Sequence, residues 1–298
     1  MARPARIDKE AGRWALVDGI PFHMPVYCRN SPALFAVFSI NADKARKLIP
    51  GDEIHPFRLW NKGLLVISVI DYLDTNIGKY IEFSIAIACT HGSRPAPRFL
   101  PALFMGLFGT GQWVFDLPVS TEVSVKGGKG IWGMPKHRAN LNYLIGDKTV
   151  SSQYDLDGQF AMKIEIDRPA SAWLPMSTGA VNYCGFRGML CKSTVYFKGK
   201  LGFSFFKKGA ARLSIGDHPR LQPLKDLEID PNPVLTAFLP QANGVLDDHF
   251  ECWFLGEESL PTRVPEGMES VVGLGQSQEW LPPPQPVDAM EETQGVAR

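Results

Sequence analysis

The sequence predicts a strand-rich α+β fold, and three observations carry that prediction. Its 28 glycines and 24 prolines are spread along all 298 residues rather than gathered in one linker. They cut the chain into many short apolar segments, the pattern of strands joined by frequent turns. Within those segments apolar residues run continuously or alternate with period two, and helical spacing is rare.

Taken in order, strands are expected at 34–40, 64–71, 80–89, 122–125, 140–143, 149–155, 162–166, 192–196 and 250–254. The run Gly63-Leu64-Leu65-Val66-Ile67-Ser68-Val69-Ile70 is almost wholly apolar, which suits a strand covered on both faces. In Tyr80-Ile81-Glu82-Phe83-Ser84-Ile85-Ala86-Ile87 the pattern alternates. Ile81, Phe83, Ile85 and Ile87 share one face, and Glu82 lies opposite with Tyr80, Ser84 and Ala86. Helices are few. Asn41 opens and Pro50 stops a short one. The stretch 99–108, rich in Leu, Phe and Met, is a second candidate, read as a core element rather than a lid or subunit contact. Gly127-Gly128-Lys129-Gly130 lacks the spacing of a phosphate cradle and reads as a turn or bulge. Residues 1–30 are expected to be an N-terminal extension, 31–255 the main domain, and 256–298 a Pro-rich arm and tail.

Composition narrows the function classes. Lys+Arg 31 balances Asp+Glu 31, so the chain carries no electrostatic footprint for nucleic acid. No apolar run reaches the ~18 residues of a membrane-spanning helix, and the first ten residues lack the apolar stretch of a signal peptide. Cys28, Cys89, Cys184, Cys191 and Cys252 are odd in number and widely spaced, which signals neither a disulfide framework nor a zinc site. The six histidines are equally scattered. The expectation is a cytoplasmic homo-oligomer that works on a small molecule, with no metal or other cofactor and neither nucleic acid nor membrane as partner.

The informative stretch is Gly127-Gly128-Lys129-Gly130-Ile131-Trp132-Gly133-Met134-Pro135-Lys136-His137-Arg138-Ala139. It resembles the signature of the acetoacetate decarboxylase family, a glycine and aromatic stretch running into Pro-Lys-Lys-x-Ala. A second block, Asp74-Thr75 followed by Gly78-Lys79-Tyr80-Ile81-Glu82, is similar to the family's Gly-x-Tyr-x-Glu with its active-site glutamate. The third runs from Gly209-Ala210-Ala211-Arg212-Leu213 through Asp217-His218 to Pro223-Leu224-Lys225-Asp226-Leu227. It looks like the family's Gly-x-x-Arg-Leu … His … Pro-Leu-x-Asp-Leu. In the right order, the three span about residues 31–255, the expected catalytic domain. The resemblance implies an antiparallel double barrel or cone, and a lysine that forms a Schiff base with an oxo acid. The residue matching that lysine is Lys136.

The residue chemistry agrees. A lysine attacks a carbonyl only as the neutral amine, yet at its ordinary pKa of ~10.4 about one in 2,500 is neutral at pH 7. An apolar wall disfavours the charged form, and Ile131, Trp132 and Met134 offer one. In acetoacetate decarboxylase itself a neighbouring cation adds to this. Here His137 stands where the family has its second lysine, and Arg138 is the alternative cation. Glu82 is the second catalytic candidate, either moving protons at the enamine carbon or holding substrate and water. Tyr80, Trp132, Met134 and His137 are candidate substrate contacts. Arg212 is either a bidentate carboxylate clamp or a structural ion pair, and His218 reads as a turn histidine.

Two departures bear on the outcome. Where the decarboxylases carry an arginine early in the chain, this sequence has Ser31, with Arg29 two residues away as a substitute. Where they carry a further glutamate, it has Ser68. An iminium is an electron sink for a departing carboxylate or for a deprotonated α-carbon. The readings are therefore a decarboxylase-like Schiff-base lyase, an aldolase–dehydratase or cyclase using the same lysine, or an inactive binding protein on the same fold. Serine offers no charge to a carboxylate, a loss of ~2–3 kcal/mol per contact, or about 30- to 150-fold in rate. Carbon dioxide release from acetoacetate should accordingly be slow, measured beside condensation of pyruvate with aldehydes. Efficient release would remove Ser31 and Ser68 as discriminators.

Overall fold

Three two-residue turns set much of the topology. Asp18-Gly19, Asp157-Gly158 and Arg187-Gly188 each carry positive φ at both positions. That is the turn whose twist matches the strands it joins. They close hairpins between Arg13–Val17 and Ile20–Met24, between Thr149–Leu156 and Gln159–Asp167, and between Leu174–Phe186 and Met189–Phe205.

The computed structural model describes residues 3–9 and 12–255, so the expected arm at 256–298 lies outside the described residues. Seven long strands form a closed barrel. In chain order they are β1 (Val26–Asn41), β2 (Lys62–Tyr72), β3 (Tyr80–His91), β4 (Gly111–Val119), β5 (Leu174–Phe186), β6 (Met189–Phe205) and β7 (Pro233–Leu246). Around the barrel they run β3-β2-β1-β7-β6-β5-β4, and β4 pairs back onto β3. Neighbours are antiparallel except β4 and β5, which run parallel over a short register at Gln112↔Asn182 and Trp113↔Tyr183. The first barrel strand begins at Val26, inside the segment read as an extension.

A second sheet, built from Asn140–Leu141, Leu144–Ile145, Thr149–Leu156, Gln159–Asp167 and Ala211–Ile215, covers one side of the barrel. The alternation in β1 to β3 explains the contact. Leu34, Ala36 and Phe38, then Leu65, Ile67 and Val69, then Phe83, Ile85 and Ile87 point outward. They share one apolar core with Val150, Tyr154, Met162, Ile164 and Ile166. Residues of the other parity, among them Phe35, Ser68, Tyr72, Tyr80, Glu82 and Ser84, line the barrel interior. The short helix Ala42–Arg46 forms as expected, capped by Asn41 Oδ1, which accepts from the Asp43 and Lys44 amides.

Three expectations of local structure fail. The segment 122–125 is not a strand, and 127–130 is neither turn nor bulge: both lie within one helix, Glu122–Trp132. Thr121 caps its start, and Gly133 ends it at φ 67°. Three glycines mask its helical period, because they serve close packing rather than propensity. The stretch 99–108 is not core either. Only Leu100–Leu103 is helical, with Leu103 and Leu107 more than 70% exposed. No helix among the described residues is long and apolar enough to cross a membrane.

A bulge in β4 shapes everything downstream. Ala86 and Ile85 on β3 face Val114 and Asp116, so Phe115 is an extra residue and the side-chain parity reverses there. Gln112 and Val114 line the interior before the bulge, and Leu117 lines it afterwards. Asp116 is thereby turned outward, fully buried beneath the second sheet. Its carboxylate accepts from His137 Nε2 at 2.9 Å, Arg220 Nε at 2.7 Å and Tyr154 Oη at 3.3 Å.

Burial alone would push the Asp116 carboxyl up; the hydrogen bond and charge of His137, with Arg220, outweigh it and hold the group below the usual carboxylate range. A depressed folded-state value contributes stability above the unfolded pKa of ~3.9, lost as pH falls through the folded value. Asp116→Ala should cost about 3 kcal/mol in urea unfolding at neutral pH, since it strands Arg220 and His137. The variant should also lose less stability than the parent between about pH 4 and 2.

Candidate active site

Lys136 occupies a seam in the barrel wall. β5 pairs with β4 only near Gln112 and Trp113. Further along, the short strand Lys136–Arg138 takes that edge, with Leu117↔Lys136, Pro118↔His137 and Val119↔Arg138 in parallel register. Lys136 thus shares the parity of Leu117 and points inward, and His137 shares that of Asp116 and points out. Pro135 bends the approach: the Lys136 amide donates to the Met134 carbonyl at 2.7 Å, closing a tight turn just before the lysine.

The helix Glu122–Trp132 folds back over the seam, and its glycines decide how near it comes. At Gly128 a Cβ would lie 2.7 Å from Lys136 Cε and closer still to Cδ. The lysine stem therefore lies directly against helix backbone, a contact only glycine permits. Gly127 receives the Phe22 ring in the same way. One turn earlier, Ser124 Oγ accepts from Lys136 Nζ at 3.0 Å.

Inside, the Nζ meets Glu82 Oε2 at 2.7 Å, with the lysine side chain 5% exposed and the glutamate side chain 16%. The Tyr80 ring lies 5.2 Å from Nζ and stacks on Tyr72, whose hydroxyl donates to Glu82 Oε1 at 3.5 Å. Burial, then the nearby Glu82 charge, pushes both phenols well above their ordinary range, so they remain neutral donors. Cys28 is pushed up to about 12, chiefly by burial, and is no thiolate.

These groups open onto an internal cavity of about 100 Å³. Phe35, Ile70, Val114, Met134, Val195 and Phe197 supply its apolar wall. Ser68, Ser84, Gln112 and Asn182 add neutral polar groups, with Gln112 Nε2 donating to Asn182 Oδ1 at 2.7 Å. Lys136 and Glu82 are the only charged residues among the described residues that line it.

Of the residues singled out in the sequence, the structure brings Lys136, Glu82, Tyr80 and Met134 together at this cavity. Ser68 lines it too, and the others lie elsewhere. Trp132 is buried behind Met134, its Nε1 donating to the Asp247 carbonyl. His137 faces Asp116 on the outer side of the wall, as strand alternation requires. Arg138 is exposed and paired with Glu122 at 2.6 Å. Arg212 sits on the second sheet, exposed and bonded to Glu165 at 2.6 Å, and does not line the cavity. Arg29 is exposed beside Asp74 at 3.7 Å, outside the cavity. Ser31 is buried with its hydroxyl donating to the Arg29 carbonyl. His218 accepts the Arg220 amide, as a turn histidine does.

Tyr72, Ser124, Gln112 and Asn182 also belong to the site, and no sequence motif marks them. Tyr72 does carry a signal: it lies in step with Ser68 and Ile70, the interior parity of β2. Gln112 and Asn182 carry none, because their strands lack a clean alternation.

The sequence profile of the family described as acetoacetate decarboxylase (ADC) matches residues 9–242. No curated protein matches the chain in sequence. Among solved structures, acetoacetate decarboxylase from Legionella pneumophila superposes with a TM-score of 0.54 at 14% identity, covering 78% of this chain and 88% of that one. A second acetoacetate decarboxylase structure gives 0.56 at 16% identity, over 80% and 92%. The enduracididine biosynthesis enzyme MppR, with HEPES buffer bound, gives 0.50 at 14% identity, over 77% and 88%. At these identities the structures speak to the fold, the strand-rich barrel expected above. The profile, matching most of the chain, makes it a member of the acetoacetate decarboxylase (ADC) family.

Proposed function

We propose that this enzyme is a carbon–carbon lyase that works through a Schiff base between Lys136 Nζ and the ketone carbonyl of a small oxo acid. The observation that carries the reading is the buried amine, directly paired with a carboxylate, at the edge of an enclosed cavity. Lys136 passes its proton to Glu82, attacks the carbonyl carbon, and forms a carbinolamine. Glu82 returns the proton to the hydroxyl, water departs, and the cationic iminium remains. The two neutral phenols donate hydrogen bonds to the developing oxygen charge. Electrons then flow into the iminium from a breaking bond at the α-carbon, the resulting enamine takes a proton from water at that carbon, and hydrolysis of the iminium so formed frees the lysine. The small cavity favours a substrate of pyruvate or acetoacetate size.

A second reading has its own support. Nothing in the cavity lining except Lys136 carries positive charge, and Ser68 is a neutral part of the wall. A carboxylate destined to leave therefore meets no guanidinium fork. This favours α-proton removal by Glu82, hence condensation and dehydration, over loss of carbon dioxide. The exposed Leu103, Phe104 and Leu107 support a homo-oligomer, and we assign it to the cytoplasm without a cofactor.

Borohydride with an oxo acid should reduce an adduct onto Lys136 alone, read by peptide mass. Lys136→Ala should abolish it with the fold intact by circular dichroism, although the Tm falls because Glu82 loses its buried partner, and Glu82→Gln should slow it by about a hundredfold. An adduct on Lys126 or Lys129 would overturn the assignment. Gly128→Ala tests how the lysine is held. It gains helix propensity of up to ~1 kcal/mol yet pushes the lysine stem aside, so trapping should fall more than tenfold while Tm barely changes.

A further inference from the structure

A second hollow, about 290 Å³, lies against the outer side of the lysine cavity. Tyr27, Cys28, Phe197 and Val245 line both and so form the partition between them. The backbone explains why. Pairing of β7 with β1 slips three times, and two of the slips, between Leu239 and Ala242 and between Ala242 and Gly244, fall beside the hollow. Asn30 adopts φ 50° opposite these slips. Bulges of this kind open a barrel wall. A Cβ on Gly244 would meet the Phe197 ring at 2.8 Å and Cys28 Sγ at 3.0 Å. The missing side chain is what lets Phe197 and Cys28 close the partition between them.

The two chambers differ in charge. The inner one holds the neutralised Lys136–Glu82 pair and otherwise neutral groups. The outer one is lined by Arg3, Arg29 and Lys198 against a single acid, Asp8. Arg3 is bonded to Asp8 and lies over the Tyr27 ring. Arg29 has only the exposed, 3.7 Å contact with Asp74. Lys198 makes no ion pair among the described residues. Asn243, also in the lining, accepts the Asn30 amide through Oδ1, and its Nδ2 adds a neutral donor to the hollow.

We propose that this outer hollow is an anion subsite for a second, remote carboxylate, and that the substrate is a dicarboxylic oxo acid. Its ketone reaches Lys136, and its chain crosses the partition where Phe197 turns aside. Its far carboxylate is held by Arg29 and Lys198. The proposal rests on Lys136 being the reacting amine, and it places the missing cation one chamber away from the carbonyl.

The test uses the full-length protein. Half-saturating concentrations for borohydride trapping are measured with pyruvate, α-ketoglutarate and α-ketoadipate. The longer diacids should trap at concentrations at least tenfold below pyruvate. In the Arg29→Ala, Lys198→Ala double variant the ratio between diacid and pyruvate should fall about tenfold. Lys200→Ala, which removes a charge on the same strand outside the hollow, should leave that ratio in place. A ratio near one in the parent, or one unchanged in the double variant, overturns the subsite. Should no acid be trapped at all, the lysine reading fails on its own. Calorimetry with glutarate, which has no ketone, then decides: binding lost in the double variant supports the subsite, and equal or absent binding overturns it.

Discussion

Placing an ammonium and a carboxylate together inside a barrel is costly, and the rest of the structure is arranged around that cost. Removing each ion from water carries a penalty of several kcal/mol even after relaxation. Lys136 and Glu82 offset it for one another at 2.7 Å, and further hydrogen bonds from Tyr72 and to Ser124 absorb part of the remainder. None of these partners is near Lys136 by accident of a flexible loop. Glu82 is set by strand parity in β3, Ser124 by the helix that closes the seam, and Lys136 by parallel pairing to β4. A reacting group on paired backbone is held more tightly than one on a loop.

The same strand faces two ways. Lys136 looks in at the cavity and His137, one residue on, looks out at Asp116. The outward network is buried at the junction of barrel and second sheet. There a carboxylate with three partners ties β4, the lysine strand, the second sheet and the Arg220 turn together. His137 must carry its proton on Nε2 to bond a carboxylate, and its Nδ1 has no partner among the described residues. In place of a cation that presses on the lysine through space, this chain has a histidine that anchors the lysine's backbone from behind. The bulge at Phe115 makes this possible, since without the parity reversal Asp116 would face the cavity.

Local pattern makes much of this legible in the sequence. Period-two alternation puts Ile81, Phe83, Ile85 and Ile87 on one face and Tyr80, Glu82 and Ser84 on the other, and the barrel keeps that division. The Pro-Lys pair leads to the cavity because the proline turn and strand pairing are local. What the sequence hides is non-local. Nothing in 122–132 marks it as helix, since glycines at 127, 128 and 130 lower helix propensity for the sake of contacts with Phe22, Lys136 and Val17. Arg212 looks like a carboxylate clamp until the fold puts Glu165 beside it, and Arg29 lies outside the lysine cavity. The hairpin turns at Asp18-Gly19, Asp157-Gly158 and Arg187-Gly188 come from the structure, and the strands they join are ones that apolar runs alone miss or shorten.

Chemistry and selectivity are therefore held by different parts of the wall. The amine, the carboxylate and the two phenols that would make the proposed iminium lie on β2, β3 and the seam. The residues that would choose among ketones lie mostly across the barrel, on β5, β6 and β7 with the early part of β1: Asn182, Val195, Phe197, Val245, Cys28. The register slips on that far side, between Gly199 and Gly202 and along β7, as well as at the Phe115 bulge in β4. Strand pairing in β3 and alongside β4 holds Glu82 and Lys136 within hydrogen-bond distance, and the opposite wall is built on other strands. Ser68 and Phe197 line the cavity outside the Lys136–Glu82 contact, so alterations there would reshape the space while leaving that pair in place.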